Sequence, residues 1–168
     1  MKNKLLIIIL SLSYFFLNSS YSEELNFESS QIEILEDGNL IKAKGGVKIF
    51  SSNDIEIEGN ESIYNKEESI LNAIGGVVVN DRKNDITIKT DEIIYNKKKE
   101  IISAIKETNK VIVNDRKNDV VIDSDKIVYD NKRNIISFTG NTLAKIKNKY
   151  QIKSTEIIHD RNLMEIYS

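Results

Sequence analysis

The sequence predicts an all-β fold in which about five two-strand units are stacked. Three observations carry this prediction: a repeat with constant internal spacing, alternation of apolar and polar residues, and polar breaks between the alternating segments. A repeat of this length is typical of architectures in which each unit covers the apolar face of its neighbour. Such a stack favours a long surface or groove over a catalytic pocket.

Three slots define the repeat. The first slot holds an apolar residue, the second usually an aromatic residue seven positions later, and the third a small or apolar residue nine positions further on. The slots are occupied by Phe27, Ile57, Ile88, Ile122 and Ile152; by Ile34, Tyr64, Tyr95, Tyr129 and His159; and by Ala43, Ala73, Ala104, Phe138 and Ser168. Counted between the first-slot residues, the units are 30, 31, 34 and 30 residues long, so insertions fall between fixed blocks.

Alternation identifies the strands. Between Ile41 and Ile49, apolar or small residues alternate with lysines, which predicts a strand with one dry face and one wet face. Similar patterns lie at 71–79 and 136–146, and the partner strands are centred on the first-slot residues. The glycine pairs Gly45–Gly46 and Gly75–Gly76 fall inside strands and predict bulges or close packing.

Polar segments between the strands predict turns at 65–68, 96–99 and 130–133. Two further segments, Asn80–Asp85 and Asn114–Asp119, are nearly identical. Their Asp and Asn oxygens are the kind that bind calcium, but Arg and Lys occupy the middle of each segment and the spacing is not that of a calcium loop. We therefore predict solvated hairpin turns.

The first 22 residues differ from the rest of the chain. Lys2 and Lys4 precede an almost wholly apolar stretch from Leu5 to Leu17, and small residues flank Tyr21. This pattern predicts a signal peptide over residues 1–22, cleaved after Ser22, and a single domain over residues 23–168. An uncleaved N-terminal anchor is the alternative.

Composition narrows the compartment and the partners. The chain has no cysteine, which excludes disulfides, thiolate metal sites and an N-terminal lipoprotein anchor, and export without disulfides fits a bacterial periplasm. The net charge is −2 and basic and acidic residues are interspersed, so the sequence predicts no basic surface for binding nucleic acid.

No group of residues predicts catalysis, a cofactor or a metal. His159 is the only histidine, and it occupies the second slot, where three other units have tyrosine. We interpret it as a structural ring. Asp91, Asp125 and Glu61 recur near strand ends but are separated by whole units, so they are predicted to form turns or to be solvated.

Several stretches resemble the OstA-type domain family, which has the LptA-like fold of the lipopolysaccharide transport machinery. The closest are Ser124–Asp130, Phe138–Thr142 and Ala43–Val47, and the resemblance covers roughly residues 25–168. It implies a twisted antiparallel β-jellyroll, open along one side and at its ends. Domains of this family stack end to end and carry lipopolysaccharide across the periplasm, with its acyl chains inside.

The resemblance gives the apolar faces a role. Lipid-groove candidates are the inward residues Ile57, Ile88, Ile122, Ile136 and Phe138, although about half of the inward residues are expected simply to fill a core. Edge-strand assembly candidates are Phe27, Ile32 and Ile34 at the start and Leu163 and Ile166 at the end, where a strand can be added. The expected partners are lipopolysaccharide, other OstA-type domains and further copies of this chain.

Three members of the transport system share this fold: a soluble bridge protein, the periplasmic N-terminal domain of the outer-membrane translocon LptD, and a membrane-anchored module. The length suits the bridge, whereas residues 163–168 look like the start of an unfinished unit, which favours the translocon domain. The alternative from another class is a structural β-solenoid, an adhesin or filament subunit, that binds no lipid.

Overall fold

The computed structural model describes residues 25–147 and 149–168, and the predicted signal peptide lies outside them. The regular structure of the described residues is β-strand, apart from one 3-10 turn at Glu36–Gly38. The strands are β1 (Asn26–Leu35), β2 (Leu40–Phe50), β3 (Ile55–Asn65), β4 (Ile70–Asp81), β5 (Ile86–Asn96), β6 (Ile101–Ile105), β7 (Val111–Asp115), β8 (Val120–Ser124), β9 (Lys126–Asp130), β10 (Ile135–Ile146), β11 (Tyr150–Asp160) and β12 (Glu165–Tyr167).

All twelve strands belong to one antiparallel sheet, and strands that follow each other along the chain pair with each other except β6 with β7 and β8 with β9. Two positions in this order are filled by interrupted strands. The first consists of β6 and β7, which both pair with β5, and the second consists of β8 and β9, which both pair with β10. The predicted all-β, twisted antiparallel fold is confirmed.

A corner crosses the middle of the sheet. The register shifts between Lys44 and Val47 in β2 and between Ile74 and Val77 in β4, where the glycine pairs lie, so the predicted bulges are confirmed. Gly75 has φ +86°, and a Cβ atom there would lie 2.8 Å from Asn60. In the longest unit, residues 106–110 leave the sheet at this corner, which accounts for its extra length.

Polar side chains stabilise the corner. The Asp91 carboxylate accepts backbone N–H bonds from Thr108 and Asn109, each 3.1 Å long, and these bonds lower the pKa of Asp91. The Asp125 carboxylate accepts bonds from Lys106 and Asn141, each 2.7 Å long. The interpretation of these acids as turn-forming groups therefore agrees with their positions at the bulges.

The corner divides the sheet into two halves. Half-sheet A contains residues 26–29, 47–50, 55–58, 77–81, 86–89, 111–115, 120–124, 142–146 and 150–154. Half-sheet B contains residues 31–35, 40–44, 61–65, 70–74, 92–96, 101–105, 126–130, 135–139, 156–160 and 165–167. Buried apolar residues of both halves form one core cluster, so the two half-sheets face each other across it.

Turns form two rows opposite the corner, one at the end of each half-sheet. Within a row, the backbone of one turn bonds to the next: Arg116 donates its N–H to Asp85 at 3.1 Å, and Asn131 donates its N–H to Glu100 at 3.1 Å. The last residue of most turns is left-handed, as at Ser69 with φ 57°. The predicted turns at 65–68, 96–99 and 130–133 are confirmed to within one residue.

One strand boundary was predicted wrongly. Leu163 was assigned to the last strand, but it lies in the turn over residues 161–164, and β12 begins at Glu165. Stacking explains the difference, because the Arg161 backbone N–H bonds to Asn134 O in the preceding turn and so aligns this turn with the others.

Candidate functional site

The interior between the half-sheets is the candidate site. The five lipid-groove candidates all lie on its walls: Ile57, Ile88 and Ile122 in half-sheet A, and Ile136 and Phe138 in half-sheet B. Each side chain is at most 1% exposed. In this conformation they pack against other protein side chains, so contact with a lipid requires the half-sheets to separate there.

The side opposite the corner, where the two rows of turns meet, is here called the seam. The resemblance implied an open side, but polar contacts bridge the seam at two places. The first bridge is clasp 1, in which the Tyr129 hydroxyl of half-sheet B donates to Asp81 Oδ2 of half-sheet A at 2.7 Å. Asn84 joins the same carboxylate to Asn131, with its Nδ2 at 2.8 Å from Asp81 Oδ2 and 2.9 Å from Asn131 Oδ1.

The Tyr129 hydroxyl remains a donor in clasp 1. Burial raises the pKa of Tyr129 well above its ordinary value, and the neighbouring Asp81 carboxylate raises it further. Tyr129 is fully buried and Asp81 is 1% exposed, so this hydrogen bond is shielded from water.

Clasp 2 contains a buried ion pair. Arg161 Nε donates to Asp115 Oδ2 at 2.6 Å, and His159 Nε2 lies 2.9 Å from the same oxygen. Arg161 also donates through Nη2 to the backbone oxygen of Asn84 at 2.6 Å and through Nη1 to Asn134. Asn84 therefore takes part in both clasps.

The Asp115 carboxylate is held ionised. Burial acts to raise the pKa of Asp115, but hydrogen bonds from His159, Arg161 and Asn118 outweigh burial, and the pKa lies well below its ordinary value. Asp115 is 1% exposed, so its charge depends on these partners.

The clasps show that the two half-sheets are offset. Asp81 in β4 contacts Tyr129 in β9, and Asp115 in β7 contacts His159 in β11. In both cases the strand of half-sheet B lies three positions further along the strand order. Consequently the first strands of half-sheet B and the last strands of half-sheet A have little or no sheet opposite them.

The C-terminal end of the stack is an open, mainly apolar recess of about 450 Å³. Its apolar lining comes from the uncovered strands of half-sheet A and from the final hairpin: Val120, Ile146, Ile152, Met164 and Ile166. Polar residues also line the recess, and they include His159 of clasp 2: Lys117, Asn118, Lys147 and His159.

The edge-strand candidates lie at the two ends. Phe27 is half-buried against Tyr64, with ring centroids 6.0 Å apart. Ile32 and Ile34 face inward but are 44% and 66% exposed, because no strand of half-sheet A covers them. Leu163 is exposed in the last turn, and Ile166 is half-buried in β12. Both β1 and β12 pair on one side only.

A solved structure shares this architecture. It is the crystal structure of LptH from Pseudomonas aeruginosa, described as the LptA-homologous periplasmic component of a conserved lipopolysaccharide transport device. The TM-score is 0.61 at 16% identity, over 73% of this chain and 86% of LptH. This chain has the LptA-like fold. No family model matches the sequence, and no curated protein does.

The two clasps of this LptA-like fold were not predicted from the sequence. The turns at Asn80–Asp85 and Asn114–Asp119 were predicted to be solvated, but Asp81 and Asp115 are each 1% exposed. The prediction failed because it considered each hairpin alone, whereas the residues that bury these carboxylates come from the opposite half-sheet. The available signal was that the same polar segment occurs twice.

Among the residues that the structure describes, no group of three or more His, Asp or Glu side chains is placed to hold a metal ion. Among the same residues, no helix has the length and hydropathy to cross a membrane. The structural neighbour LptH is described as a component of a transport device.

Proposed function

We propose that this chain is a periplasmic carrier domain that encloses the acyl chains of lipopolysaccharide between its half-sheets and joins domains of the same fold end to end. The observation that carries the proposal is the LptA-like fold together with an apolar recess at the uncovered end of the stack. An acyl chain gains about 0.8 kcal/mol for each methylene removed from water, so an apolar recess of this kind favours a lipid tail.

Photo-crosslinking in cells tests lipid binding. Ile152 lines the recess, whereas Lys153 is the next residue of β11 and is exposed. A photo-crosslinking residue at Ile152 is expected to give adducts with lipopolysaccharide, and the same residue at Lys153 is expected to give none. Equal adduct formation at the two positions, or none at Ile152 and Ile146, contradicts the proposal.

End-to-end joining is supported by the offset of the half-sheets. Ile32 and Ile34 of half-sheet B are uncovered at one end, and Ile146 and Ile152 of half-sheet A line the recess at the other. When a second copy adds its β1 beside β12, its uncovered half-sheet B can cover the recess of the first copy. Apolar surface at both ends is then removed from water.

The free edge of β12 includes the Ile166 backbone N–H. The Arg161 N–H is directed towards β10, because it bonds to Asn134 O. Backbone N–H groups alternate in direction along a strand, so the Asp160 N–H is directed towards β12, where Asp160 pairs with Glu165. The Glu165 N–H is then directed towards β11, and the Ile166 N–H is directed away from the sheet edge. Proline at Ile166 removes this outward donor and is expected to weaken association while the β-sheet circular dichroism is retained. Ile166→Val, which keeps the donor, is the matched control.

Light scattering across a concentration series, on the mature protein, measures association. The wild type and Ile166→Val are expected to form oligomers or to bind another LptA-like domain, and Ile166→Pro is expected to do so more weakly. A wild type that stays monomeric at high concentration and binds no such domain refutes the end-to-end mechanism.

The proposal also includes cleavage of a signal peptide and an origin in one of the members of the transport system. N-terminal sequencing of periplasmic material is expected to begin at Glu23, whereas the intact precursor in the inner membrane would indicate the anchored module. Downstream DNA that continues in frame with alternating amphipathic strands would identify a translocon N-terminal domain, and outer-membrane association would follow. Neighbouring transporter genes would identify a soluble bridge.

A structural β-solenoid is the second candidate function. The packed interior favours it, because Ile88, Ile136 and Phe138 are fully buried and belong to one core cluster. This candidate predicts polymerisation without lipid adducts, so the crosslinking experiment separates the two functions.

A further inference from the structure

The closed middle of the stack raises the question of how an acyl chain can enter. Tyr129, Ile136 and Phe138 are fully buried in the core cluster, so an acyl chain that moved along the axis would have to displace them. A lipid with a large polar head also cannot move lengthwise through this interior, because its head group would be buried without hydrogen-bond partners. Loading the middle of the stack therefore needs an opening along one side.

Only one side can open without breaking the chain. At the corner, the long strands continue from one half-sheet into the other. Short segments link β6 to β7 and β8 to β9 there, so the two half-sheets stay covalently joined. At the seam, the hydrogen bonds that join the half-sheets of the described residues all involve a side chain. The corner is thus placed to act as a hinge and the seam as the opening.

The polar chemistry of the seam suits reversible opening. The Asp81 and Asp115 carboxylates lose hydration when the clasps close, and the hydrogen bonds of the closed state offset the free-energy cost of that loss. When the clasps open, water can replace those hydrogen bonds. We propose that the seam is a lateral gate through which the acyl chains of an amphiphile enter, and that clasps 1 and 2 hold this gate shut.

A second cavity lies over the same seam. It is an open recess of about 730 Å³ whose lining residues are all polar or charged, and they include Asn84, Asn131 and Asn134 from the clasps, together with Lys83 and Lys132. The polar head of an amphiphile can stay hydrated there while its tails pass between the half-sheets. The gate rests on the proposed function, because it assumes that acyl chains occupy the interior.

A reversible crosslink tests the gate. The chain has no cysteine, so two introduced thiols are its only thiols. Asn84→Cys with Asn131→Cys spans the seam, where the native side chains are 2.9 Å apart. The matched control, Asn80→Cys with Thr87→Cys, joins neighbouring strands of half-sheet A whose side chains are 3.1 Å apart. Each pair is closed with a short reducible bis-thiol linker.

Uptake of a fluorescent lipid A is then measured before and after reduction. Closing the seam is expected to slow uptake at least tenfold, with full recovery on reduction, while the control crosslink leaves uptake unchanged. Equal uptake by the closed and reduced seam variants overturns the gate and leaves the proposed function standing. No uptake by the reduced variants and the wild type overturns both the proposed function and the gate.

A readout without lipid reports the opening itself. Ile122→Cys places one thiol in the interior, and its rate of maleimide labelling measures access. Tyr129→Phe removes the hydroxyl that bonds to Asp81, Asn84 and Asn131, and it is expected to speed labelling several-fold. Tyr64 occupies the same repeat slot in another unit and takes no part in the clasps, so Tyr64→Phe is expected to have little effect on the labelling rate. Equal labelling in the two variants, at matched unfolding free energy, overturns the gate.

Discussion

The side chains of Asp115 and Arg161 form a buried ion pair between the two half-sheets, with 2.6 Å between Asp115 Oδ2 and Arg161 Nε. Each side chain is at most 2% exposed. The pair connects positions 46 residues apart in the chain, because Asp115 ends β7 and Arg161 follows β11. Its removal should therefore affect the association of the half-sheets more than any single hairpin.

Arg161→Met is expected to lower the free energy of unfolding by about 3–5 kcal/mol, because it leaves the Asp115 charge buried without its main cation. Arg116→Met is the control, since Arg116 pairs with Asp85 at the surface and both side chains are about half exposed. That change is expected to cost no more than about 1 kcal/mol. Urea unfolding measures both, and equal losses would show that clasp 2 does not hold the half-sheets.

The pH dependence of stability should report Asp115. Its folded pKa is depressed below the unfolded value of about 3.9, so its contribution is present above about pH 4 and is lost as pH falls below that. Asp115→Asn is expected to be less stable than the wild type at pH 6, and the difference should shrink towards pH 3. Urea unfolding of both proteins over this range measures it. A difference that stays constant with pH would mean that the carboxylate is not held by Arg161 and His159.

The two faces of β8 provide a paired test of the core. Ile122 is 1% exposed in the interior, and its neighbour Val121 is 37% exposed on the outside. Ile122→Asp is expected to cost more than about 4 kcal/mol or to prevent folding, because an unpaired charge would be buried. Val121→Asp is expected to cost less than about 1 kcal/mol. Thermal unfolding by circular dichroism separates them, and similar losses would mean that the faces are assigned wrongly.

Sequence patterns predicted the hairpins because each hairpin is a local feature. Alternation placed Ile57, Ile88 and Phe138 on the inner face, and they are buried there. The offset between the half-sheets has no such local signal, since both halves show the same alternation. The contact between Asp81 and Tyr129 spans 48 positions and depends on that offset. For the same reason, alternation cannot distinguish a residue that lines a lipid groove from one that fills the core.

Left-handed turn residues offer a last test of the stacked turns. Ser69 has φ 57° and Asp119 has φ 53° at the ends of their turns. Asn and Asp tolerate this conformation better than serine, because their short polar side chains bond to the local backbone. Ser69→Asn is therefore expected to raise the free energy of unfolding by about 0.5–1 kcal/mol, and Asp119→Ser is expected to lower it by a similar amount. Both positions keep a polar side chain at the surface, so solvation changes little and the opposite signs isolate the backbone effect. Urea unfolding measures the two changes, and the same sign for both would show that turn conformation does not limit the stability of the stack.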